Sequence, residues 1–236
     1  MSKKKQKKAQ MDPKKKTAIL VAVVAAVFLL CVGIIIAVTR SEGSTGSDNT
    51  DQTANDESTA DTKDTAENVT ADASYYADID VKDYGTITVA LDAKHAPKTV
   101  ENFVSLAKSG FYDGLTFHRI ISGFMIQGGD PNGDGTGGSD QTITGEFKSN
   151  GFDNPLSHTR GAISMARSSE YDSASSQFFI VHEDSTFLDG EYAVFGYVTE
   201  GMDIVDAICK DAVPTDNNGT IPAADQPVIT SITIRE

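Results

Sequence analysis

The stretch that most constrains the fold is residues 117–130, FHRIISGFMIQGGD, in which one cation lies among large apolar side chains. Its β-branched and aromatic residues predict two short strands joined at Ser122 and Gly123. Arg119 is the exception, because a guanidinium stays charged and is costly to place in such a run unless it lines a cleft and meets a partner. The run alone leaves two interpretations open: an edge arginine that points to water, or an arginine that lines a cleft.

A second stretch, residues 161–180, GAISMARSSEYDSASSQFFI, repeats this arrangement with an apolar strand, a polar loop, and then Gln177 followed by two aromatic residues. Together the two stretches resemble the cyclophilin family of peptidyl-prolyl isomerases, whose signature runs FHRII, a short turn, F-M, QGGD, then SMA and SQFFI. Residues 96–120 resemble the first helix and following strand of that family, and residues 187–198 resemble its later hairpin. The resemblance rests on four separated blocks and extends over about residues 75–236.

The resemblance implies rotation of X–Pro bonds without a cofactor or a metal. It implies that Arg119 is the catalytic residue, a fixed donor that bonds the prolyl nitrogen better in the twisted state than in the planar one. The implied substrate-binding residues are His118, Phe124, Met125, Gln127, Ala166, Arg167, Gln177, Phe179, Phe187, Leu188 and Tyr192.

Within that set, the resemblance implies distinct roles. The proline ring would lie in a pocket of apolar side chains: Phe124, Met125, Phe179 and Leu188. The amides of Gln127 and Gln177 would form hydrogen bonds with the peptide. Ala166 and Arg167 would offer backbone contacts, and His118 would brace the cleft edge. For an isolated phenylalanine plain core packing would be the ordinary interpretation, but here each one lies in a matching block.

Three positions depart from the family pattern. Phe187 stands where many members carry a tryptophan known for cyclosporin binding, so binding of that drug is possible but expected to be weakened. Tyr192 replaces a histidine at the cleft rim, and Arg167 stands where asparagine is common. The loop 168–174 is one residue longer than in the short eukaryotic form. These departures resemble bacterial cyclophilins and favour a bacterial host.

The N-terminal region predicts a membrane anchor. Residues 17–39 contain 23 residues without a charge, and as a helix they would run about 34 Å, enough to cross a hydrocarbon core of about 30 Å. Eight lysines precede this segment, so the positive-inside rule places the N-terminus in the cytoplasm and the remainder outside the cell membrane. A cleaved signal peptide is the alternative, but the apolar run is longer than a usual h-region and no Ala-x-Ala site follows it. The bulky residues before Cys31 argue against a lipoprotein site.

Charge divides the chain into segments. Residues 1–40 carry a net charge of +8, residues 41–74 carry −8 and residues 75–236 carry −14, for a total of −14. We therefore predict a basic cytoplasmic tail over 1–16, a transmembrane helix over 17–39, an acidic disordered linker over 40–74 and one domain over 75–236. An acidic domain repels phosphate backbones, so nucleic acid is not an expected partner.

The domain is predicted to be mainly β. Runs of alternating apolar residues, such as 85–91 and 228–234, predict strands with one buried face. Pro97 is predicted to begin a helix that stops at Gly110, and residues 202–208 predict a second helix. About eight strands with no βαβ pattern favour a closed antiparallel barrel, which removes exposed edges. The resemblance implies the same barrel, capped by a helix at each end.

The glycine-rich segment 128–140 fits two other motifs in part. It matches the first half of a calcium-binding loop, but position twelve is Gln141, where a glutamate is needed. It also matches a dinucleotide fingerprint, but no βαβ unit surrounds it. We expect a surface loop beside the cleft and no metal site.

These observations predict a membrane-anchored, extracytoplasmic isomerase that assists the folding of secreted or surface proteins. Its partners would be unfolded or partly folded polypeptides that contain proline, and the chain is expected to be a monomer. The alternative is a binding module or holdase that uses the same groove to hold proline-containing segments, with turnover incidental.

Overall fold

The computed structural model describes residue 73 and residues 75–236. The predicted cytoplasmic tail, the apolar segment 17–39 and almost all of the predicted linker lie outside these residues. Within the described part, no helix combines the length and the apolarity that a bilayer crossing requires.

Eight strands and two helices form the regular structure of the described residues. The strands are β1 Tyr75–Val81, β2 Gly85–Leu91, β3 Phe117–Ile121, β4 Met125–Gly128, β5 Ala162–Met165, β6 Phe178–Val181, β7 Val194–Glu200 and β8 Ile229–Arg235. The helices are α1 Pro97–Lys108 and α2 Met202–Asp211. Every paired strand is antiparallel, in the order β3-β4-β6-β5-β7-β2-β1-β8. The predicted mainly-β class with eight antiparallel strands and two helices is confirmed.

The two ends of this sheet are β3 and β8, and they meet only locally. Thr116 and Val228 form a single bridge, and the Ile229 N–H donates to the Leu115 carbonyl at 2.7 Å. These contacts lie at the start of each strand and do not continue as a ladder. The sheet is therefore a half-barrel, and closure as a continuous barrel stays a prediction.

The strands β3 to β6 bury apolar side chains on both faces, and alternation decides which face each residue joins. Ile120, Ile126 and Ile180 belong to the main core, which also holds the apolar stripe of α1. The opposite face carries a second apolar cluster: Met125, Leu156, Ala162, Phe179, Val181, Val194 and Tyr197. One face therefore stabilises the domain against its helices, while the other provides a separate apolar surface.

Helix α1 depends on a carboxylate that is distant in sequence. Ala96 precedes the helix and supplies no side-chain cap. Instead, the fully buried Glu146 accepts hydrogen bonds from the Lys98 N–H at 3.0 Å, the Thr99 N–H at 2.8 Å and the Thr99 hydroxyl at 2.7 Å. These bonds satisfy donors that the first turn of a helix leaves unpaired, at the end where the helix dipole favours a negative charge.

We predict that Glu146→Ala lowers the free energy of unfolding by about 2–4 kcal/mol, because it leaves two buried donors of Thr99 and the part-buried Lys98 N–H without their acceptor. Urea unfolding followed by circular dichroism would measure the change. Glu101→Ala is the matched control, since Glu101 is an exposed residue of the same helix, and it should change stability by less than about 0.5 kcal/mol. Equal stability of the two variants would contradict the capping role.

Candidate active site

Arg119 lies on β3 directly opposite Gln127 on β4. Its Nη1 donates to the Gln127 Oε1 at 3.1 Å, and its Nε donates to the Asn218 carbonyl at 2.8 Å. Nη1 also lies 3.9 Å from the Met125 sulfur, so the guanidinium faces the second apolar cluster. Burial lowers the pKa of Arg119, while Tyr192 acts in the opposite direction; a guanidinium nevertheless stays charged in a protein. The interpretation of Arg119 as an edge residue that points to water is wrong.

Two glutamines extend this hydrogen-bonded row across the sheet. The Gln127 Nε2 donates to the Gln177 Oε1 at 2.9 Å, and the Gln177 Nε2 donates to the Gly137 carbonyl at 2.7 Å. Because the Gln127 oxygen accepts from Arg119, its amide has one orientation that satisfies both neighbours. The row fixes the position of the guanidinium and links it to the glycine-rich loop.

The apolar side chains predicted to form the ring pocket lie together beside this row. Met125 and Phe179 are buried in the second apolar cluster, and the half-buried Phe124 and Leu188 pack against it. Phe187 is 72% exposed, and its ring centroid lies 5.7 Å from that of Phe124. The structure therefore brings the predicted pocket residues and Arg119 to one face of the sheet.

His118, predicted to brace the cleft edge, is a buried residue. Only 4% of it is exposed, and neither ring nitrogen has a hydrogen-bond partner among the described residues. It lies under the glycine-rich loop, where a Cβ at Gly135 would approach Nε2 at 3.8 Å. Burial lowers the pKa of His118, while the nearby Asp130 carboxylate acts in the opposite direction. The role of His118 in bracing the cleft edge stays a prediction, and the structure adds that the ring is buried there.

Arg167 was predicted to offer a backbone contact, and its side chain has contacts of its own. Its side chain donates from Nε and Nη2 to the Glu191 carbonyl, at 3.0 and 2.9 Å. The guanidinium lies over three rings, with centroid distances of 5.0 Å to Phe147, 5.0 Å to Tyr171 and 4.7 Å to Tyr192. These contacts bind the polar loop 168–174 to the rim that carries Tyr192. The side chain of Arg167 therefore stabilises this part of the protein.

The backbone contacts predicted at Ala166 and Arg167 are available only in part. The Ala166 N–H donates to the Gln177 carbonyl at 2.9 Å and is not free for a substrate. A contact from Ala166 to a peptide would therefore have to use its carbonyl oxygen.

The glycine-rich loop is organised by its own carboxylate. Asp130 is buried, and it accepts hydrogen bonds from the N–H groups of Asn132 at 2.8 Å, Asp134 at 3.1 Å and Gly135 at 2.6 Å. Among the described residues, no group of three His, Cys, Asp or Glu side chains is placed to hold a metal ion. The loop lies beside the cleft, as expected, and contributes backbone carbonyls to it.

Sequence reasoning missed the turn that supports Arg119 from the other side. Asp216 accepts hydrogen bonds from the Asn218 and Thr220 N–H groups, both at 3.0 Å, and from the Thr220 hydroxyl at 2.9 Å. This Asx turn fixes the Asn218 carbonyl that receives the Arg119 Nε. The segment DNNGT carries a local turn signal, but nothing local shows that the turn meets a strand 99 residues earlier.

A buried hydrogen-bonded group behind the pocket was missed as well. His158 lies between Asp189 and Ser164, with its Nδ1 2.9 Å from the Asp189 Oδ1 and its Nε2 3.0 Å from the Ser164 Oγ. Burial lowers the pKa of His158, against the effect of Asp189. Partial burial alone would raise the pKa of Asp189, but hydrogen bonds from Ser157 and His158 outweigh it and lower the pKa.

Comparison with known proteins gives a consistent result. Residues 76–235 match the family described as cyclophilin type peptidyl-prolyl cis-trans isomerase. A peptidyl-prolyl cis-trans isomerase of Helicobacter pylori strain J99 is 49% identical over 126 residues, which cover 52% of this chain and 75% of that protein. Peptidyl-prolyl cis-trans isomerase B of Bacillus subtilis strain 168 is 50% identical over 123 residues, which cover 52% of this chain and 82% of that protein.

A solved structure shows the same fold. The crystal structure of a Cryptosporidium parvum cyclophilin type peptidyl-prolyl cis-trans isomerase, in the presence of the dipeptide Ala-Pro, matches with a TM-score of 0.60 at 31% identity. The match covers 68% of this chain and 99% of that chain.

We predict that the free energy of unfolding falls by on the order of 1 kcal/mol between pH 7 and pH 5. His118 and His158 both have a lowered pKa in the folded state, so the unfolded chain takes up protons first as the pH falls below about 6.5. Their contribution is therefore complete above that pH and is lost as the pH falls toward the folded pKa. Urea unfolding at several pH values would measure it.

The contribution of the histidines to stability is lost at a higher pH than the contribution of the carboxylates. Asp189 and Asp216 have a lowered pKa, so their contribution is lost mainly below about pH 4. His118→Phe should flatten the dependence between pH 5 and 6.5. A protein more stable at pH 5 than at pH 7 would contradict the prediction.

Proposed function

Since the chain belongs to the cyclophilin-type peptidyl-prolyl cis-trans isomerases, we propose that it accelerates X–Pro rotation in secreted or surface proteins outside the cell membrane, with Arg119 as its catalytic residue. The observation that carries the catalytic assignment is the orientation of the Arg119 guanidinium toward the apolar pocket, with Nη1 at 3.9 Å from the Met125 sulfur.

The reaction needs neither a nucleophile nor a metal. Rotation about an amide meets a barrier of about 18–20 kcal/mol, because resonance across the C–N bond is lost. In the twisted state the prolyl nitrogen regains a lone pair, and a donor aimed at that nitrogen binds this state better than the planar one. The apolar pocket would hold the proline ring while the rest of the peptide turns.

Arg119 is equipped to be that donor. A guanidinium carries five N–H groups, and the bonds to Asn218 and Gln127 use one on Nε and one on Nη1. No described residue accepts a hydrogen bond from Nη2, so its N–H groups could donate to a bound peptide. Because the other two bonds hold the side chain in place, it pays little reorganisation cost when the transition state forms.

The arginine does not supply the whole effect. A hydrogen bond from a charged donor contributes about 1.5–3 kcal/mol, which corresponds to roughly one or two powers of ten in rate. The remainder would come from the apolar surroundings of Met125 and Phe179, which disfavour the dipole of the planar amide relative to water.

The proposed location rests on the sequence outside the described domain. An uncharged segment of 23 residues follows eight lysines and precedes an acidic stretch, which is the order expected for an anchor with a cytoplasmic N-terminus. An acidic, self-repelling linker would extend the domain away from the membrane surface. The departures at Arg167, Phe187 and Tyr192 support a bacterial host. The exposed Phe187, in place of tryptophan, supports weakened binding of cyclosporin.

We predict that Arg119→Ala lowers kcat/KM for a proline-containing peptide by about 10- to 100-fold without unfolding the protein. A protease-coupled peptide assay would measure the change. Arg119→Lys should also be impaired, because an ammonium lacks the planar fork that meets Gln127 and Asn218. The control is Arg235→Ala, which removes an arginine paired with Asp78 on β1, and it should keep wild-type activity.

The same variant separates the isomerase from a holdase. An Arg119→Ala protein that loses turnover and still restores secretion of client proteins would favour the binding module. Wild-type turnover in that variant would remove Arg119 from the mechanism.

We predict that the full chain fractionates with the cell membrane and that protease added to intact cells digests residues 75–236. The reason is the single uncharged segment 17–39 with its lysines on the N-terminal side. A cytoplasmic marker protein that stays intact is the control. Protection of the domain in intact cells, or release of a shortened chain cut after residue 39, would contradict the retained anchor.

A further inference from the structure

Three side chains behind the apolar pocket, a serine, a histidine and an aspartate, are joined by hydrogen bonds. Ser164 and His158 are both fully buried, and the His158 ring joins the Ser164 hydroxyl at 3.0 Å to the Asp189 carboxylate at 2.9 Å. The arrangement has the order of a hydrolase triad, but a nucleophile must meet its substrate. Ser164 sits within β5 with no exposed surface, so this group requires another explanation.

The partners of His158 fix its tautomer. An ionised carboxylate can only accept, so the nitrogen facing Asp189, Nδ1, carries the proton. Nε2 then has a lone pair, and it accepts the hydrogen of the Ser164 hydroxyl. The neutral ring is held at both nitrogens and cannot rotate without losing a hydrogen bond in a buried site.

The fixed ring supports two side chains of the site. His158 stacks on Phe179, with ring centroids 5.9 Å apart and planes 12° apart. It meets Tyr192 edge-on at 6.4 Å, and Phe179 and Tyr192 meet edge-on at 6.1 Å. A rotation of His158 would therefore displace the phenylalanine that lines the ring pocket.

Asp189 joins this support to the turn that carries Leu188. It accepts hydrogen bonds from the Ser157 hydroxyl at 2.6 Å and the His158 N–H at 2.7 Å, in addition to the ring. It follows directly on the 3-10 turn Thr186–Leu188, which carries Leu188. One carboxylate thus holds the segment beneath Phe179 and the turn that bears Leu188 at a fixed separation.

We infer that His158 is a positioning residue of the isomerase, and that with Asp189 it holds Phe179 and Leu188 so that a bound proline ring is aligned with Arg119. The inference rests on the proposed role of Arg119. Errors in alignment of about 1 Å can cost up to about a hundredfold in rate, so a residue that never touches the substrate can still affect turnover.

The test uses four variants of the purified full chain. His158→Phe keeps a ring that can stack on Phe179 but removes both hydrogen bonds, and it should lower kcat/KM about tenfold, mainly through kcat. Ser164→Ala removes only the Nε2 anchor and should cost about threefold. Asp189→Asn keeps an acceptor for Nδ1 and should recover most of the activity that Asp189→Ala loses. Exchange NMR with a saturating peptide separates kcat from KM.

The matched control is His95→Phe. His95 forms another His–Asp contact, with its Nδ1 2.8 Å from Asp92, ahead of α1 and outside the pocket. This variant should keep wild-type kcat/KM. Its unfolding transition measures how much the free energy of unfolding falls when a His–Asp contact is lost elsewhere in the domain.

A second measurement does not depend on mutation. Nitrogen-15 NMR of the imidazole should show the neutral tautomer with the proton on Nδ1 at pH 7, in the free and the peptide-bound protein. A proton on Nε2 would overturn the inference. If His158→Phe does not fold, this measurement and the kcat/KM of Ser164→Ala test the positioning role.

The outcomes distinguish this inference from the proposed function. If folded His158→Phe has wild-type kcat/KM while Arg119→Ala is impaired, the positioning role is wrong and the function stands. If Arg119→Ala keeps full activity, the proposed catalytic residue is wrong and the alignment argument is overturned with it.

Discussion

The site depends on holding one permanent cation against apolar side chains. Removing a guanidinium from water is expensive, and the expense is offset only by well-aligned hydrogen bonds. Arg119 obtains them from two directions, Gln127 on the neighbouring strand and the Asn218 carbonyl on a distant turn. The strand register supplies the first partner, and the Asx turn at Asp216 supplies the second. Much of the surrounding polar structure serves to keep these two partners in place.

Strand alternation explains how the same sheet can provide both a core and a pocket. Phe178 and Phe179 are adjacent in sequence and point to opposite faces. Phe178 packs against Phe103 at 5.5 Å and Phe117 at 6.1 Å in the main core, while Phe179 belongs to the second cluster. A shift of one residue in the register of β6 would exchange them, so stability of the core also fixes which ring lines the site.

The features that depend on local sequence pattern, the strands and the limits of the first helix, could be predicted. Alternating runs gave the strands to within two residues at 85–91 and 228–234, and Pro97 and Gly110 correctly marked the limits of α1. The family resemblance predicted the cleft residues. Local pattern alone does not decide whether these side chains line a pocket or belong to the core.

Contacts between distant segments were not predictable in this way. The Glu146 cap of α1, the Asn218 carbonyl on Arg119 and the Asp189 contact to His158 each join residues that are 31 to 99 positions apart. Hydrophobic periodicity states which face a residue joins but not which polar partner it meets there. The burial of His118 was missed for the same reason, because the covering loop is polar and glycine-rich and gives no sign of packing over β3.

The turn that supports Arg119 also lies along the outer edge of β3. Strand β3 is an edge strand, and an open edge invites pairing with other chains. Here the turn around Gly219 covers it: the Ile120 N–H donates to the Gly219 carbonyl at 2.8 Å and the Ile221 N–H donates to the His118 carbonyl at 3.0 Å. Gly219 has φ +84°, and a Cβ there would lie 2.6 Å from the Ile120 carbonyl oxygen, so only glycine lets the turn approach this closely.

A continuous β8 ladder along β3 would have protected the same edge. It would also have used strand carbonyls in ladder hydrogen bonds, whereas the turn leaves the Asn218 carbonyl free to receive the Arg119 Nε. The turn therefore protects the edge of the sheet and orients the guanidinium at once. The local, unladdered contact between β3 and the segment before β8 is the arrangement that permits both.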